Sequence, residues 1–389
     1  MSSINVAGNT SGSVTIQAPA VSGSTTLTLP VVNGTLLSTA SGQVLTAPVL
    51  GTPASGSLEN CTGVQYTGFK NRIINGNMAI DQRNAGASVT PNNSYTLDRW
   101  SGGNNQTGKF TVQQNANSVT LPVGFTNYLG VVSSSAYAII STDFFAINQP
   151  IEGYNVADLG WGTANAKTIT LSFLVQSSLT GTFGGVLKNS NGTRSYPFTY
   201  SIPVANTWTQ ISITIVGDTT GNWLTNNGAG ISLSFGLGVG ATYSGTAGSW
   251  AAANYVSATG ATSVVGTSGA TFYITGVQLE KGSTATSFDY RPYGTELSLC
   301  ERYYQGDILA TVGGGAGPTA TNRSFYCNVN FPVPFRASPT MTTLSTIVSS
   351  NMNAGSWAQL DASRGYFVAT NSVTNDCALV VQCSGAAEL

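Results

Sequence analysis

The chain has no histidine in 389 residues. That removes Ser-His-Asp and Cys-His catalysis and any His-ligated metal site. Charge is scarce too: 14 basic and 15 acidic residues make up 7% of the chain, against roughly 25% in an ordinary soluble domain. With a formal net charge of −1 and no basic run, it lacks the electrostatic footprint of a protein that binds DNA or RNA. No apolar run approaches the ~18 residues of a membrane-crossing helix. The opening MSSINVAGNT has neither the charged nor the apolar region of a secretion signal. We therefore expect no nucleic-acid partner and no membrane insertion. The five cysteines, Cys61, Cys300, Cys327, Cys377 and Cys383, form neither a CxxC pair nor a zinc framework. Their odd number leaves at least one thiol unpaired within the chain. Cys377 and Cys383 either meet across a hairpin or stay as buried thiols; the second reading is preferred and suits assembly in a reducing cytoplasm.

Glycine is abundant, at 46 residues, and Ser, Thr and Asn supply the surface polarity. Such a composition suits β structure, where Thr fits a pleated sheet. Residues 1–66 carry a short repeat. Gly12-Ser13-Val14-Thr15-Ile16-Gln17-Ala18-Pro19 is echoed by Gly23-Ser24-Thr25-Thr26-Leu27-Thr28-Leu29-Pro30 and begins again at Gly34. Each copy is a brief period-two strand, too short to bury an apolar face alone. The segment is either a disordered tail or, our preferred expectation, an anchor intertwined with copies of itself or docked on a partner. Linker text rich in Pro and Gly follows, from Gly42 to Gly63.

Residues 67–293 read as a β domain. Clean alternation marks strands at 169–175, 196–204, 211–215, 231–239 and 271–281, with weaker ones near 110–112, 119–123 and 137–139. Turn signals at Asn191-Gly192, Gly217-Asp218 and Asn227-Gly228 separate them. Many strands with regular turns make a sandwich or jelly roll; one short helical turn is expected within 150–159. In the last strand, Tyr273, Thr275, Val277 and Leu279 alternate with Phe272, Ile274, Gln278 and Glu280. Gly276 interrupts the second set and marks a bulge or a close backbone approach.

Residues 294–389 read as a short helix followed by a small β-sandwich. Thr295 stands at an N-cap position with Glu296 in the first turn. Leu297, Cys300 and Tyr304 share one face of that helix. The face either caps its own domain or packs along the axis of a homotrimer. A long strand is expected from Phe325 to Phe335, with Pro332 and Pro334 requiring its end to be an edge or to lose pairing.

The chemistry points to binding. Asp98 with Arg99, and Asp81 with Arg83, read as structural ion pairs. Asp143, Glu152 and Asp158 are carboxylates with no evident structural role, yet sequence cannot place two of them at the separation a glycosidase needs. No catalytic residues are assigned, and the chain is not expected to be an enzyme. Sugars are held by aromatic faces ringed by amides and hydroxyls, so aromatics in polar loops are the signal. Tyr243, Trp250 and Tyr255, Asn222 with Trp223, and Trp357 fit it. Each Trp alternatively plugs a core, and Trp208 is read that way.

Two motifs carry a resemblance. The run Val277-Gln278-Leu279-Glu280-Lys281-Gly282 with Ala285-Thr286-Ser287-Phe288 resembles the closing strand of jelly-roll domains of the carbohydrate-binding-module type. Its continuation, from Tyr290-Arg291-Pro292 to Glu301-Arg302-Tyr303-Tyr304, resembles a junction in bacteriophage tail fibres. So do the upstream Asn71-Arg72-Ile73-Ile74-Asn75-Gly76-Asn77-Met78-Ala79-Ile80-Asp81-Gln82-Arg83 and Asp98-Arg99-Trp100. The resemblance implies a virion fibre, homotrimeric, attached through residues 1–66 to a tail or adaptor protein and presenting its domains to a host surface polysaccharide. A capsid-attached head fibre or decoration protein, and a glycan-depolymerising tailspike, are the alternatives. Modules of this type often hold a structural calcium, for which Glu280 and Asp98 are the candidate oxygen donors; no other cofactor is expected.

Overall fold

The computed structural model describes residues 3–7, 13–17, 69–314 and 320–389. Among the described residues the regular secondary structure is almost entirely β-sheet, with one short α-helix. It divides into two compact units, residues 1–57 and 58–389. In the first, β1 (Ser3–Ala7) pairs antiparallel with β2 (Ser13–Gln17), in register from Ser3–Gln17 to Ala7–Ser13. Strand β2 lies in the first copy of the repeat, and β1 precedes it. The later copies, the linker and Cys61 lie outside the described residues.

In the second unit the strands are β3 (Ser94–Leu97), β4 (Trp100–Asn104), β5 (Phe110–Gln114), β6 (Leu129–Ser133), β7 (Phe144–Glu152), β8 (Ile169–Ser177) and β9 (Gly181–Lys188). They continue as β10 (Ser195–Ile202), β11 (Thr209–Ile215), β12 (Ala229–Val239), the two-residue pair β13 (Ser244–Gly245) and β14 (Ser257–Ala258), and β15 (Thr271–Lys281). A six-stranded sheet, β10-β9-β12-β7-β4-β3, faces a five-stranded one, β11-β8-β15-β6-β5. Alternation drives the pairing of the two sheets. Ile231, Leu233, Phe235 and Leu237 of β12 meet Ile169, Leu171, Phe173 and Val175 of β8 in one buried core. Phe173 sits edge-on to both Phe235 and Tyr200, at 5.0 Å each. The five clearest expected strands are present. The stretches at 119–123 and 137–139 are loops, and two 3₁₀ turns occupy Gly153–Asn155 and Ala157–Leu159.

The bulge in β15 changes its facing. Gly276 takes φ +62°, and the register with β8 shifts between Thr275 and Gln278. Strict alternation would place Val277 and Leu279 with Tyr273. The extra residue instead turns Val277 and Leu279 into the core beside Phe272 and Ile274. Tyr273, Thr275, Gln278 and Glu280 then share the outer face.

The two motifs behind the fibre resemblance meet in space. Asn71 donates from Nδ2 to Val277 O and accepts at Oδ1 from Leu279 N. Val277 N donates to Gly76 O. Asn75 accepts at its carbonyl from Trp100 Nε1 and donates from Nδ2 to Asp98 O. The upstream motif thus ties β15 to the opposite sheet.

Helix α1 (Tyr293–Glu301) leads into β16 (Tyr304–Gly314), β17 (Ser324–Asn330), β18 (Thr340–Ser350), β19 (Ser356–Ala358), β20 (Arg364–Thr370) and β21 (Cys377–Ala386). Sheets β16-β21-β18 and β17-β20-β19 enclose a second, smaller core of Phe331, Phe335, Phe367, Leu379 and Val381. Strand β17 stops before Pro332, so Phe331 and Phe335 leave the sheet and pack edge-on at 4.9 Å. This strand is shorter than the alternation suggests because Pro removes the ladder donor.

Three expectations need correction here. The helix begins at Tyr293, with Pro292 at its N-cap and no side-chain cap, so Thr295 is not the cap. The face expected along a trimer axis is occupied within the chain. Cys300 is fully buried with Ile74, Ile80 and Tyr303, half-buried Leu297 packs beside them, and Tyr304 is buried at the start of β16. Finally, residue 293 is no break: 58–389 form one compact unit because α1 and the chain's last residues pack against the larger sandwich.

Candidate functional site

The two outer sheet faces differ in what covers them. Segment 241–262 lies over the six-stranded sheet, with β14 packed on β9, β10 and β12. Ser195 N and Ala251 N exchange bonds with Ala251 O and Ser195 O there. The five-stranded sheet is crossed by two loops that bury the outer residues of β15 and most of those of β8, so its open strip is the loop aromatics together with the edge strand β11.

At one end, loop 115–128 folds back over the face. Tyr128 packs edge-on to Tyr273 at 5.3 Å and to Trp208 at 5.8 Å, and Trp208 Nε1 donates to Thr120 O. Trp208 is half-buried against a small satellite core of Ala116, Tyr128 and Tyr273 on this outer face, not in the main core between the sheets. At the other end, loop 282–290 is held by β15. Glu280 accepts from Thr286 N and Oγ1, while Gln278 accepts from Asp289 N.

Between them Phe125, Phe288 and Tyr290 form an aromatic trio, with ring centroids 4.9–5.5 Å apart. Gly276 makes the trio possible: a Cβ there would stand 2.8 Å from Phe125 Cζ, and its left-handed φ suits glycine alone. Gly124, at φ +90°, leaves room in the same way for the Tyr290 hydroxyl, which a Cβ would approach to 2.7 Å. Tyr290 is 55% exposed, braced by two rings at angled or edge-on geometry. Partial burial raises its phenol pKa above the ordinary value. Leu174 is half-buried beside Phe125, and its β11 partner is Gln210. Gln210, Ser212 and Thr214 are exposed along β11. The face therefore offers an exposed aromatic ring over β15 and, on edge strand β11 of the same sheet, an amide and two hydroxyls, with no charge among these residues.

Of the residues expected to bind sugar, Trp223 and Trp250 come together, but around Trp161. The three indoles sit at 4.8, 5.3 and 5.4 Å, each edge to face. Their N–H groups donate to Lys167 O, Thr220 O and Val216 O. Trp223 is buried and Trp250 half-buried, so this cluster braces the end of the sandwich. Asn222 is exposed beside it. Tyr243 packs edge-on to Phe144 at 5.5 Å, and Tyr255 lies against Gly245. Trp357 packs on Phe367 at 5.5 Å in the smaller core, remote in the fold from the tryptophan cluster. Sequence pattern does not single out the aromatic trio, because none of its members neighbours a tryptophan in a polar loop. Phe125 in LPVGFTNY, and Phe288 and Tyr290 within the resemblance motif, carry the same signal.

The carboxylates are engaged structurally. Glu152 accepts from Arg302 and from Tyr303 Oη at 2.6 Å. Burial pushes its carboxyl up, but these bonds outweigh it and hold the pKa below the ordinary range. Asp143 accepts from Ile140 N and Asn105 Nδ2, and Asp158 pairs with Arg72. The expected Asp98–Arg99 and Asp81–Arg83 pairs do not form. Asp98 accepts from Gln82, Asp81 accepts from Asn84 N and Gly86 N, and both arginines reach Glu388. Their backbones turn away locally, and Arg99 sits at φ +68°. Glu280 and Asp98 lie on different sheets with their oxygens already engaged, so they do not form a shared calcium site. Among the described residues no group of three or more acidic, Cys or His side chains is placed to hold a metal. Cys300, Cys327, Cys377 and Cys383 are free thiols. Cys377 and Cys383 lie on the same strand, not across a hairpin.

No family model and no curated protein matches the sequence. Several solved structures are similar to part of it. The enzymatically active domain of tailspike protein 4 of bacteriophage CBA120 is 15% identical over 55% of this chain and 21% of its own, with a TM-score of 0.32. This chain thus spans about a fifth of that tailspike chain. A family 11 carbohydrate-binding module from Clostridium thermocellum, in complex with a β-1,3-1,4-mixed-linked tetrasaccharide, is 12% identical over 51% of this chain and 98% of its own, with a TM-score of 0.26. TmCBM61 in complex with β-1,4-galactotriose is 10% identical over 55% of this chain and 100% of its own, with a TM-score of 0.28.

Proposed function

We propose that this chain is a bacteriophage fibre subunit that holds a host surface glycan without cutting it, on the outer face of the five-stranded sheet. The observation that carries the reading is the exposed Tyr290 ring, braced by Phe125 and Phe288 over β15 of the sheet whose edge strand β11 exposes Gln210 and Ser212. A pyranose presents C–H groups to an aromatic face and hydroxyls to its rim, and this face of the sheet supplies both partners. Contacts of this kind are weak singly, and several copies per particle multiply them. Residues 1–66 attach the fibre to a tail or adaptor protein, and the mature location is the virion.

Retention of the full-length protein on immobilised host polysaccharide tests the site. Tyr290→Ala should weaken retention roughly three- to tenfold, the scale of one aromatic contact, with the melting temperature little changed. Retention equal to wild type would remove the strip from consideration. Release of oligosaccharide from the polysaccharide would instead favour a depolymerase.

A homotrimer is the assembly we favour, supported by β18. This strand ends its sheet, and every residue from Thr342 to Ser350 is exposed, including Leu344, Ile347 and Val348. No charged residue lies between Arg336 and Asp361. Uncharged edges of this length are normally blunted or covered, and neighbouring copies would cover this one.

A further inference from the structure

A cleft of about 220 Å³ opens where α1 runs into β16. Its polar wall holds Gln82, Glu301, Gln305 and Asp307. Its apolar wall includes Leu309, Val329 and Phe331. Neither Lys nor Arg lines it.

Three observations give the cleft its chemistry. First, Gln305 is 3% exposed, and its Nε2 donates to Glu301 O and Val333 O. Those two bonds fix which end of the amide is nitrogen. Its Oε1 is buried and has no partner, and an acceptor left so costs free energy until a donor reaches it. Second, burial raises the Glu301 carboxyl pKa, and no hydrogen bond or neighbouring charge contributes to that shift. Glu301 is also the last residue of α1, where the helix presents its negative end. A carboxylate there is disfavoured unless a cation joins it. Third, Asp307 spends Oδ1 on Gln382 Nε2, at 2.9 Å, and has its other oxygen to offer.

The cleft is therefore rich in acceptors, negative at one end and apolar on the other side. Two carboxylates and one amide oxygen fall short of the six to eight oxygens that calcium takes. The volume is below the roughly 300–1,000 Å³ of sites that enclose drug-sized ligands, so it accepts one small unit. We propose that this cleft binds a free amino sugar, its protonated primary amine between Glu301, Gln305 Oε1 and Asp307 and its ring against Leu309 and Phe331. This site is separate from the Tyr290 strip and does not depend on it.

Saturation-transfer NMR on the full-length protein with D-glucosamine, N-acetyl-D-glucosamine and D-glucose as probes tests the inference. In the Tyr290→Ala protein, where the aromatic strip no longer holds a pyranose, saturable binding of glucosamine alone is expected. Added to that variant, Glu301→Gln and Asp307→Asn should each weaken it about tenfold, as loss of a charge-assisted bond does. Asp307 is exposed, so its variant carries the test should Glu301→Gln fold poorly. No saturable binding of glucosamine would overturn the proposal. So would equal binding of the acetylated or neutral sugar, or glucosamine affinity unchanged in both acidic-site variants. Loss of the signal in Tyr290→Ala would move the amine to the other site and equally overturn it.

Discussion

Arg99 and Glu388 form an ion pair across 289 positions of sequence. Arg99 is 1% exposed, stacks 3.7 Å over the Tyr303 ring, and shares Glu388 with Arg83, which stacks at the same distance over Tyr304. The pair joins the far end of the chain to the first strands of the larger sandwich. Its guanidinium is desolvated, yet the neighbouring Glu388 carboxylate holds it firmly charged. Removing the carboxylate strands a buried cation, so Glu388→Ala should destabilise by about 3–5 kcal/mol. Equilibrium denaturation in urea checks this. A loss under 1 kcal/mol would mean that water reaches Arg99.

Asp98 makes stability depend on pH in an unusual direction. Burial is the largest influence and pushes its carboxyl up to about 6, against the opposing bonds from Gln82. A carboxyl whose folded pKa lies above its unfolded value stabilises below the unfolded pKa. That contribution is lost as pH rises through about 6. Asp98→Asn should therefore match wild type near pH 4 and gain up to about 3 kcal/mol relative to it by pH 8. Paired melts across that range decide it. A gain largest at acidic pH would reverse the assigned sign.

The tryptophan cluster predicts an optical signature. Three indoles at 4.8–5.4 Å should couple, giving a circular-dichroism couplet that Trp250→Ala reduces to the contribution of the remaining Trp161–Trp223 pair at 4.8 Å. Because Trp250 is only half-buried, its truncation should cost the low end of the roughly 3–5 kcal/mol of a fully buried Trp. Polysaccharide retention, normalised to folded protein, should be unaffected. A selective loss of retention would restore the cluster as a sugar site.

Strand β18 predicts the oligomeric state. Light scattering on the full-length protein should give a trimer, and Leu344→Lys with Ile347→Lys should shift it toward monomer by charging the uncovered edge. A wild-type monomer would leave that edge without its proposed partner.

The class of fold was readable in the sequence, since strands such as 169–175 and 231–239 carry the period-two alternation of a sheet, although the loops over their outer faces leave both almost wholly buried. The absence of histidine and the scarcity of charge likewise narrowed the chemistry without any coordinates. Local pattern failed where long-range contacts set the outcome. The glycine bulge in β15 reversed which residues faced inward, because one inserted residue rotates everything after it. The partner of Arg99 lay 289 residues away, not in the adjacent Asp98. Whether a ring plugs or presents was likewise a tertiary decision. Trp223 and Trp250 closed around Trp161, while Phe125, Phe288 and Tyr290 were gathered from two loops onto one face. Sequence specifies which surfaces are apolar; only the folded arrangement of loops determines which of them remain open to solvent.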